Sequence, residues 1–376
     1  MESKDLLNDL KTISDFKYIP SNKDSKFTSI IIVTFNGLEY TKLCIESIRK
    51  FTEKESYEII VVDNNSTDGT KEWISNESDL KVIINKDNLG FTTACNEGIR
   101  IARGDILLLN NDVIVTPRWL DNLREALYSA PNIGAVGPVS NYVSNNQQID
   151  VSYNNVYEML KFADEFNVSN SMLWEYKIKL IGYCYLIKKE VIDKVGLLDE
   201  RFTPGHYEDD DISIRIIYSG YNLLMCKDTF IHHFGSASFK KKDDLGILIS
   251  TNYYKFIEKW GFEIAFGAPV KWDSINKINV RNNEEINILE VGCGLGGTLL
   301  ELKNRYKNLN LYGIEENLVI GKVSKGVFNV IIDDVRTAEL PYPKRFFDYI
   351  LLGDKINDKE IKDKFTMYLK VGGEII

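Results

Sequence analysis

From residue 29 onward the chain alternates short apolar runs with amphipathic stretches. Ser29-Ile30-Ile31-Ile32-Val33 is uninterrupted and predicts a buried strand. Residues 38–51 repeat apolar positions at helical spacing and predict a helix. Glu58-Ile59-Ile60-Val61-Val62 predicts a second strand, residues 70–75 a short helix and residues 80–84 a third strand. Residues 91–102 then predict a helix and residues 105–109 a fourth strand. Strands apolar throughout, separated by helices, imply a parallel sheet covered on both faces. Ligands of such sheets sit beyond the carboxyl ends of the strands. Thr34-Phe35-Asn36, Asp63-Asn64-Asn65 and Asn110-Asn111-Asp112 each follow an apolar run, which makes them candidates for chemistry.

Before this region, Leu6, Leu7, Leu10, Ile13 and Phe16 recur at helical spacing, and residues 20–26 form a polar connector. Residues 273–285 are polar and lack periodicity, after which Ile286-Asn287-Ile288-Leu289-Glu290-Val291 opens a second strand–loop–helix pattern. The expected division is 1–27 as helix and connector, 28–272 as the first domain, 273–285 as linker and 286–376 as the second domain.

Bulk properties narrow the function. The chain has 376 residues and a net charge of −9, which disfavours a general nucleic-acid or anionic-membrane surface. A phosphate-bearing ligand then needs a local site built from a metal, a few basic side chains or backbone N–H groups. Cys44, Cys95, Cys184, Cys226 and Cys293 are scattered and odd in number, and read as reduced core residues of a cytoplasmic protein. The amino terminus has no signal-peptide pattern, and no apolar stretch approaches the ~18 residues of a membrane span. Attachment to a membrane surface stays open.

Four constellations could carry chemistry. Asp63 ends the second strand, where a carboxylate could accept the N3–H of uracil or thymine. The following Asn64 to Thr70 stretch is rich in capping residues, and Asp68 or Thr67 fits that structural role. Asp112 could hold Mg²⁺ or Mn²⁺ beside a diphosphate, although Asn110-Asn111-Asp112 taken alone reads better as an Asx turn. Glu208-Asp209-Asp210-Asp211 precedes a helical stretch at 212–219, and a helix start offsets part of the repulsion among four acids. One of them could serve as a general base toward a hydroxyl. His232-His233 ends the run Thr229-Phe230-Ile231; neighbours on a strand point oppositely, so at most one of them faces the site.

The stretch 29–239 resembles glycosyltransferase family 2, with a GT-A nucleotide-diphospho-sugar transferase fold built on a Rossmann-like, mostly parallel α/β sheet. It is closest to the rhamnosyltransferase-like branch. Ser29 to Asn36 looks like the family's first strand and nucleotide loop, and Val62 to Thr70 like its base- and ribose-binding loop. Asn88-Leu89-Gly90-Phe91 is similar to the segment that closes over the nucleotide. Leu109-Asn110-Asn111-Asp112 occupies the place of the metal-binding D-x-D, with Asn110 replacing its first acid. Tyr207-Glu208-Asp209-Asp210-Asp211 resembles the aromatic-E-D-x-D segment, and His233-Phe234-Gly235-Ser236 the late H-x-G-S element.

The resemblance implies an inverting, Mn²⁺- or Mg²⁺-dependent transfer from a nucleotide sugar, UDP- or dTDP-linked, to a hydroxyl of a bacterial glycan or a surface protein such as flagellin. By the same resemblance Asp209 is the base. Thr34, Asn36, Asp63, Asn88, Gly90, Asn111 and Asp112 bind the donor; Gly182, Tyr183 and Glu208 shape the acceptor or sugar pocket; Asp112 and His233 hold the metal.

Glu290-Val291-Gly292-Cys293-Gly294 is a Gly-rich strand-to-helix turn, and Glu315 ends the next strand. Residues 286–376 resemble a class I S-adenosylmethionine methyltransferase domain, truncated where the chain stops at Gly372-Gly373-Glu374-Ile375-Ile376. The resemblance makes Glu290, Gly292, Gly294, Glu315 and Asp334 candidate adenosylmethionine contacts. Two other readings follow: a methyltransferase of a glycan pathway, and a nucleotide-sugar-binding scaffold without catalysis.

Overall fold

A computed structural model describes residues 3–18, 26–235, 242–264, 268–280, 285–306, 308–353 and 358–376. Most of the connector at 20–26, Ser236 of the late motif and residues 281–284 of the polar boundary lie outside the described residues. The chain divides into two compact units. The first comprises Met1–Glu175, Lys179–Ser213 and Leu223–Lys255; the second comprises Tyr176–Ile178, Ile214–Asn222 and Phe256–Ile376.

The first sheet begins with four parallel strands, β1 (Thr28–Thr34), β2 (Tyr57–Asp63), β3 (Leu80–Ile84) and β4 (Asp105–Asn110). β5 (Val113–Ile114), β6 (Ile133–Ser140), β7 (Trp174–Lys177), β8 (Cys184–Ile187) and β9 (Asn222–His233) complete it. The order is β3-β2-β1-β4-β8-β6-β9-β5, with β7 also paired to β9. β8 runs antiparallel to β4, and β6 antiparallel to β8. Ile30, Ile31 and Ile32 at the centre of β1 are at most 1 % exposed, as expected of a strand covered on both faces. The helix α1 (Ser3–Thr12) precedes the sheet; α2 (Leu38–Phe51), α3 (Thr70–Asn76) and α4 (Phe91–Ile101) cover it. On α4, a Cβ at Gly98 would lie 2.6 Å from Ile31 Cγ2, so the missing side chain lets helix and strand approach closely.

Strand register sets the rim. Thr34 pairs with Asp63, Asp63 with Ile84, and Val33 with Asn110. The three candidate loops therefore leave one edge side by side. Because Leu109 pairs with Cys184, the antiparallel β8 starts at that edge and brings Gly182 and Tyr183 to it. β5 pairs with β9 through Val113 and His233, bringing Asp112 and His233 together.

Further along come α5 (Trp119–Leu127), α6 (Val156–Phe166), α7 (Lys189–Val195), α8 (Glu208–Tyr218) and α9 (Lys242–Trp260). α8 begins earlier than the apolar periodicity at 212–219 predicts. All four acids stand in its first turn, where unpaired N–H groups and the helix dipole favour negative charge. The five cysteines are free and buried. Among the described residues no helix is long and apolar enough to cross a membrane.

The second sheet is parallel throughout: β10 (Ile286–Val291), β11 (Leu309–Glu315), β12 (Asn329–Ile332), β13 (Phe347–Leu351) and β14 (Leu369–Ile375), in the order β12-β11-β10-β13-β14. Alternate β10 residues feed two apolar clusters, Ile286 and Ile288 one, Leu289 and Val291 the other, so the strand is buried on both faces.

Candidate active site

The rim beyond β1 and β2 is a closed hydrogen-bond knot. Thr34 Oγ1 donates to Asp63 Oδ1 at 2.9 Å, and the Ser66 hydroxyl donates to the same oxygen. Ser66 N–H donates to Oδ2 at 2.9 Å. Ser66 Oγ in turn accepts the N–H of Asn36 at 2.7 Å, and Asn36 Oδ1 accepts the N–H of Thr67 at 2.8 Å. Asp63, which is fully buried, thus ties the loop after β1 to the loop after β2. Asp68 accepts N–H bonds from Leu38 at 3.0 Å and Thr70 at 3.2 Å, although Gly69 rather than Asp68 or Thr67 holds the N-cap position of α3.

The loop after β3 closes the next side. Asn64 Nδ2 donates to the Gly90 carbonyl at 3.1 Å, and Asn88 Oδ1 accepts Gly90 N–H at 2.9 Å. Gly90 has φ of 80° and packs so tightly that a Cβ would lie 2.6 Å from Pro204 Cα. Phe91 N–H donates to the Pro204 carbonyl at 2.7 Å. The loops after β2 and β3 are thereby joined to the segment that leads into the acidic helix.

Asp112 and His233 face each other beyond β4. His233 Nε2 lies 3.2 Å from Asp112 Oδ1, and Nδ1 lies 2.6 Å from the Tyr142 carbonyl. A carbonyl only accepts, so Nδ1 carries the proton. In neutral His233, Nε2 and Oδ1 are then two acceptors pointing at one another, an arrangement that calls for a shared proton or a cation. Burial pulls the His233 pKa down, but the bond to Asp112 and its charge outweigh this, and the net shift is upward. The ring stacks on Tyr183 with centroids 5.4 Å apart, and Asn141 pairs with both backbone groups of His233 at 2.9 and 3.1 Å. Asn111 Nδ2 donates to Thr41 Oγ1 at 3.1 Å rather than to the rim. His232 turns the other way, onto Tyr153; burial, then the neighbouring His233, depress it to about 3.

At the start of α8 the four acids differ sharply. Asp209 is half-buried, and its oxygens accept Gly182 N–H at 3.0 Å and Asp210 N–H at 2.9 Å. Asp210 is paired with Lys179 at 2.7 Å, yet burial and the charge of Asp209 raise it to about 6. Glu208 is buried and its Oε2 finds no hydrogen-bond partner among the described residues. Burial, then the charge of Asp209, raise its pKa well above the usual carboxylate range. Contacts run continuously from Asp112 through His233, Tyr183 and Gly182 to Asp209, and from Asp63 across β1 to β4.

Ser66, Asn141, Tyr142 and Lys179 were not singled out by sequence reasoning. Ser66 stood inside a quoted motif. The Tyr142 role runs through a backbone carbonyl, which leaves no side-chain signal.

In the second unit, Gly292, Gly294 and Gly296 have φ of 68°, 56° and 85°, values that favour glycine. Glu315 accepts Gly294 N–H and Asn317 N–H, both at 2.9 Å. Glu290 is 1 % exposed and pairs with Lys271 at 2.9 Å. Asp334 Oδ1 accepts the N–H of Arg336 at 2.7 Å within its own turn.

The mostly parallel sheet, with its polar loops gathered at one edge, defines a GT-A transferase architecture. Residues 29–196 match the family model described as Glycosyl transferase family 2, and residues 275–376 the one described as Methionine biosynthesis protein MetW. An uncharacterized glycosyltransferase of Methanocaldococcus jannaschii is 31% identical over 229 residues, which cover 56% of this chain and 71% of that protein. The chain belongs to glycosyltransferase family 2, and its second unit is methyltransferase-like. The uncharacterized protein y4gI of Sinorhizobium fredii is 29% identical over 229 residues, covering 57% of this chain but 25% of that protein. An N-acetylglucosaminyl-diphospho-decaprenol L-rhamnosyltransferase of Mycobacterium tuberculosis is 24% identical over 232 residues, covering 54% of this chain and 75% of that protein.

Proposed function

We propose that the first unit transfers a sugar from a nucleoside-diphosphate donor to an acceptor hydroxyl, with inversion, using Asp209 as base. The supporting observation is the half-buried Asp209 carboxylate, fixed by two backbone N–H groups beside the Asp112–His233 pair. Each oxygen accepts one N–H from the backbone, so lone pairs remain to take the proton of an attacking hydroxyl. On the nucleotide side, Asp63 Oδ2 has the Ser66 N–H as its backbone donor and a further lone pair for N3–H of uracil or thymine. That chemistry favours a UDP- or dTDP-linked donor, with Thr34 and Asn36 ordering the loop and Asn88, Gly90 and Asn111 bordering it. Gly182, Tyr183 and Glu208 stand on the sugar side. The acceptor is a glycan or a surface protein, reached from the cytoplasm, where nucleotide sugars are supplied.

The donor set at Asp112 and His233 fits a divalent cation. Neighbouring ligands of an octahedral ion at about 2.1 Å are separated by about 3 Å, and Nε2 and Oδ1 are 3.2 Å apart. Tyr142 already fixes the tautomer that leaves Nε2 as a ligand. Held by Asp112 and His233, Mn²⁺ or Mg²⁺ would supply charge neutralisation for a departing nucleoside diphosphate. The test is Asp209→Asn, with donors screened as UDP- and dTDP-sugars. Sugar transfer should fall by about 10²–10⁴-fold while melting temperature and donor binding hold. Transfer that survives in Asp209→Asn removes the base assignment.

A further inference from the structure

The Gly-rich turn of the second unit has a backbone that suits the nucleoside half of adenosylmethionine. Its glycines adopt positive φ, and Glu315 stands at the end of the adjoining strand. The aminoacyl half fits poorly. An ammonium group needs acceptors, and two stand at the end of β10, the Glu290 carboxylate and the Gly292 carbonyl. Both already face Lys271: its Nζ lies 2.9 Å from Glu290 Oε1 and 3.4 Å from the Gly292 oxygen.

Lys271 is held there by its own segment. Its N–H donates to Thr298 Oγ1 at 3.1 Å. The preceding carbonyls lie so close to Gly297 that a Cβ there would be 2.4 Å from Ala268 O and 2.8 Å from Pro269 O. The aliphatic stem passes Gly353, where a Cβ would sit 3.0 Å from Lys271 Cε and 3.1 Å from Cδ. Two glycines thus make room for the segment and for the lysine stem. The Glu290 carboxylate, 1 % exposed, makes the pair hard to open without a replacement cation.

We propose that Lys271 is the internal occupant of this cleft: its ammonium takes the acceptors that an aminoacyl nucleoside requires, and excludes adenosylmethionine from the second unit. A nucleoside without the aminoacyl group does not compete with the lysine. The full chain is titrated calorimetrically with S-adenosylhomocysteine and with 5′-methylthioadenosine. The unsubstituted protein should prefer 5′-methylthioadenosine by about tenfold or more. Lys271→Ala and Lys271→Gln should tighten S-adenosylhomocysteine by about tenfold or more and leave 5′-methylthioadenosine within about threefold. Lys271→Arg, which keeps the cation, should resemble the unsubstituted chain. The proposal is overturned if the unsubstituted chain binds S-adenosylhomocysteine as tightly as 5′-methylthioadenosine, if it binds neither, or if the neutral variants gain nothing. The first two outcomes are read without any variant, so misfolding of a substituted chain does not shelter the idea.

Discussion

Asn252 carries the sharpest test of how the acidic helix is aimed. It sits on α9, fully buried, and its Nδ2 lies 2.7 Å from the Phe202 carbonyl, 2.8 Å from that of Gly205 and 3.1 Å from that of His206. One side chain therefore holds the loop that leads directly into Glu208 and Asp209. Within that loop His206 and Tyr207 have φ of 71° and 73°, a conformation that non-glycine residues avoid unless the surroundings impose it. Asn252→Ala removes two N–H donors and leaves buried carbonyls short of partners. At about 1–3 kcal/mol for each unsatisfied group, the expected loss is about 3 kcal/mol. With about 2–4 °C per kcal/mol for a domain of this size, the melting temperature should fall by about 6–12 °C.

The catalytic effect should exceed the loss of folded protein. A misplacement of about 1 Å costs about 10²-fold in rate, and the loop ends one residue before Glu208. We expect kcat for sugar transfer to fall about 10–100-fold at a temperature where the variant is folded. The donor KM should stay within about twofold, because the Asp63 knot is untouched. Calorimetry and initial rates at saturating donor read the two effects separately. A variant that melts within about 1 °C of the parent, or keeps its kcat, refutes the assignment of Asn252 as a positioning residue.

Two further outcomes follow from the rim. His233→Ala should abolish the extra thermal stabilisation that Mn²⁺ gives to a bound nucleotide sugar, worth about 2.7 kcal/mol when the ligand is about 100 times its Kd; an unchanged Mn²⁺ response would remove His233 from the ligand set. Glu208→Gln should flatten the pH dependence of stability. The raised Glu208 pKa means the folded state keeps a proton that the unfolded chain has released, so stability falls as pH rises from about 4.5 through the folded value. Asp210 acts in the same direction and remains in the variant. The melting temperature of Glu208→Gln should therefore gain on the parent between pH 5 and pH 8, and a constant offset would contradict the shift.

Strands β1, β2 and β4 are readable from sequence because burial on both faces leaves their centres apolar, whereas β3 is only partly buried and admits Lys81. β6 hides because Gly134, Gly137 and Pro138 read as a turn, although all eight of its residues are buried. β9 is legible only near its end. Lys227 and Asp228 interrupt the apolar run, and the buried Asp228 survives there by accepting Asn170 N–H and Trp174 Nε1–H, both at 2.7 Å. Asp63, Asp112 and Asp209 stand out in the chain because each follows a strand or opens a helix. Asn252 does not, since its importance comes from carbonyls some fifty residues upstream that no local pattern connects to it. Lys271 is similar: its partner Glu290 was visible as part of a Gly-rich motif, whereas the lysine lay just outside the segment taken as linker.

The carboxylates of the rim fall into two groups with different electrostatic needs. Asp63 receives three donors and Asp209 two backbone N–H bonds, so their geometry is set before any ligand arrives. Asp112, Glu208 and Asp210 are buried; Lys179 pairs with Asp210, and His233 faces Asp112. A nucleoside diphosphate brought to this edge alone would add anionic oxygens beside several buried acids, and the field would oppose it. In the proposed reading, a divalent ion held by Asp112 and His233 would reverse that balance, because it would replace a single shared proton with two charges beside the donor diphosphate. Under the proposed function donor and metal binding would be coupled: the ion that neutralises the leaving group would also offset the acidic rim for the donor.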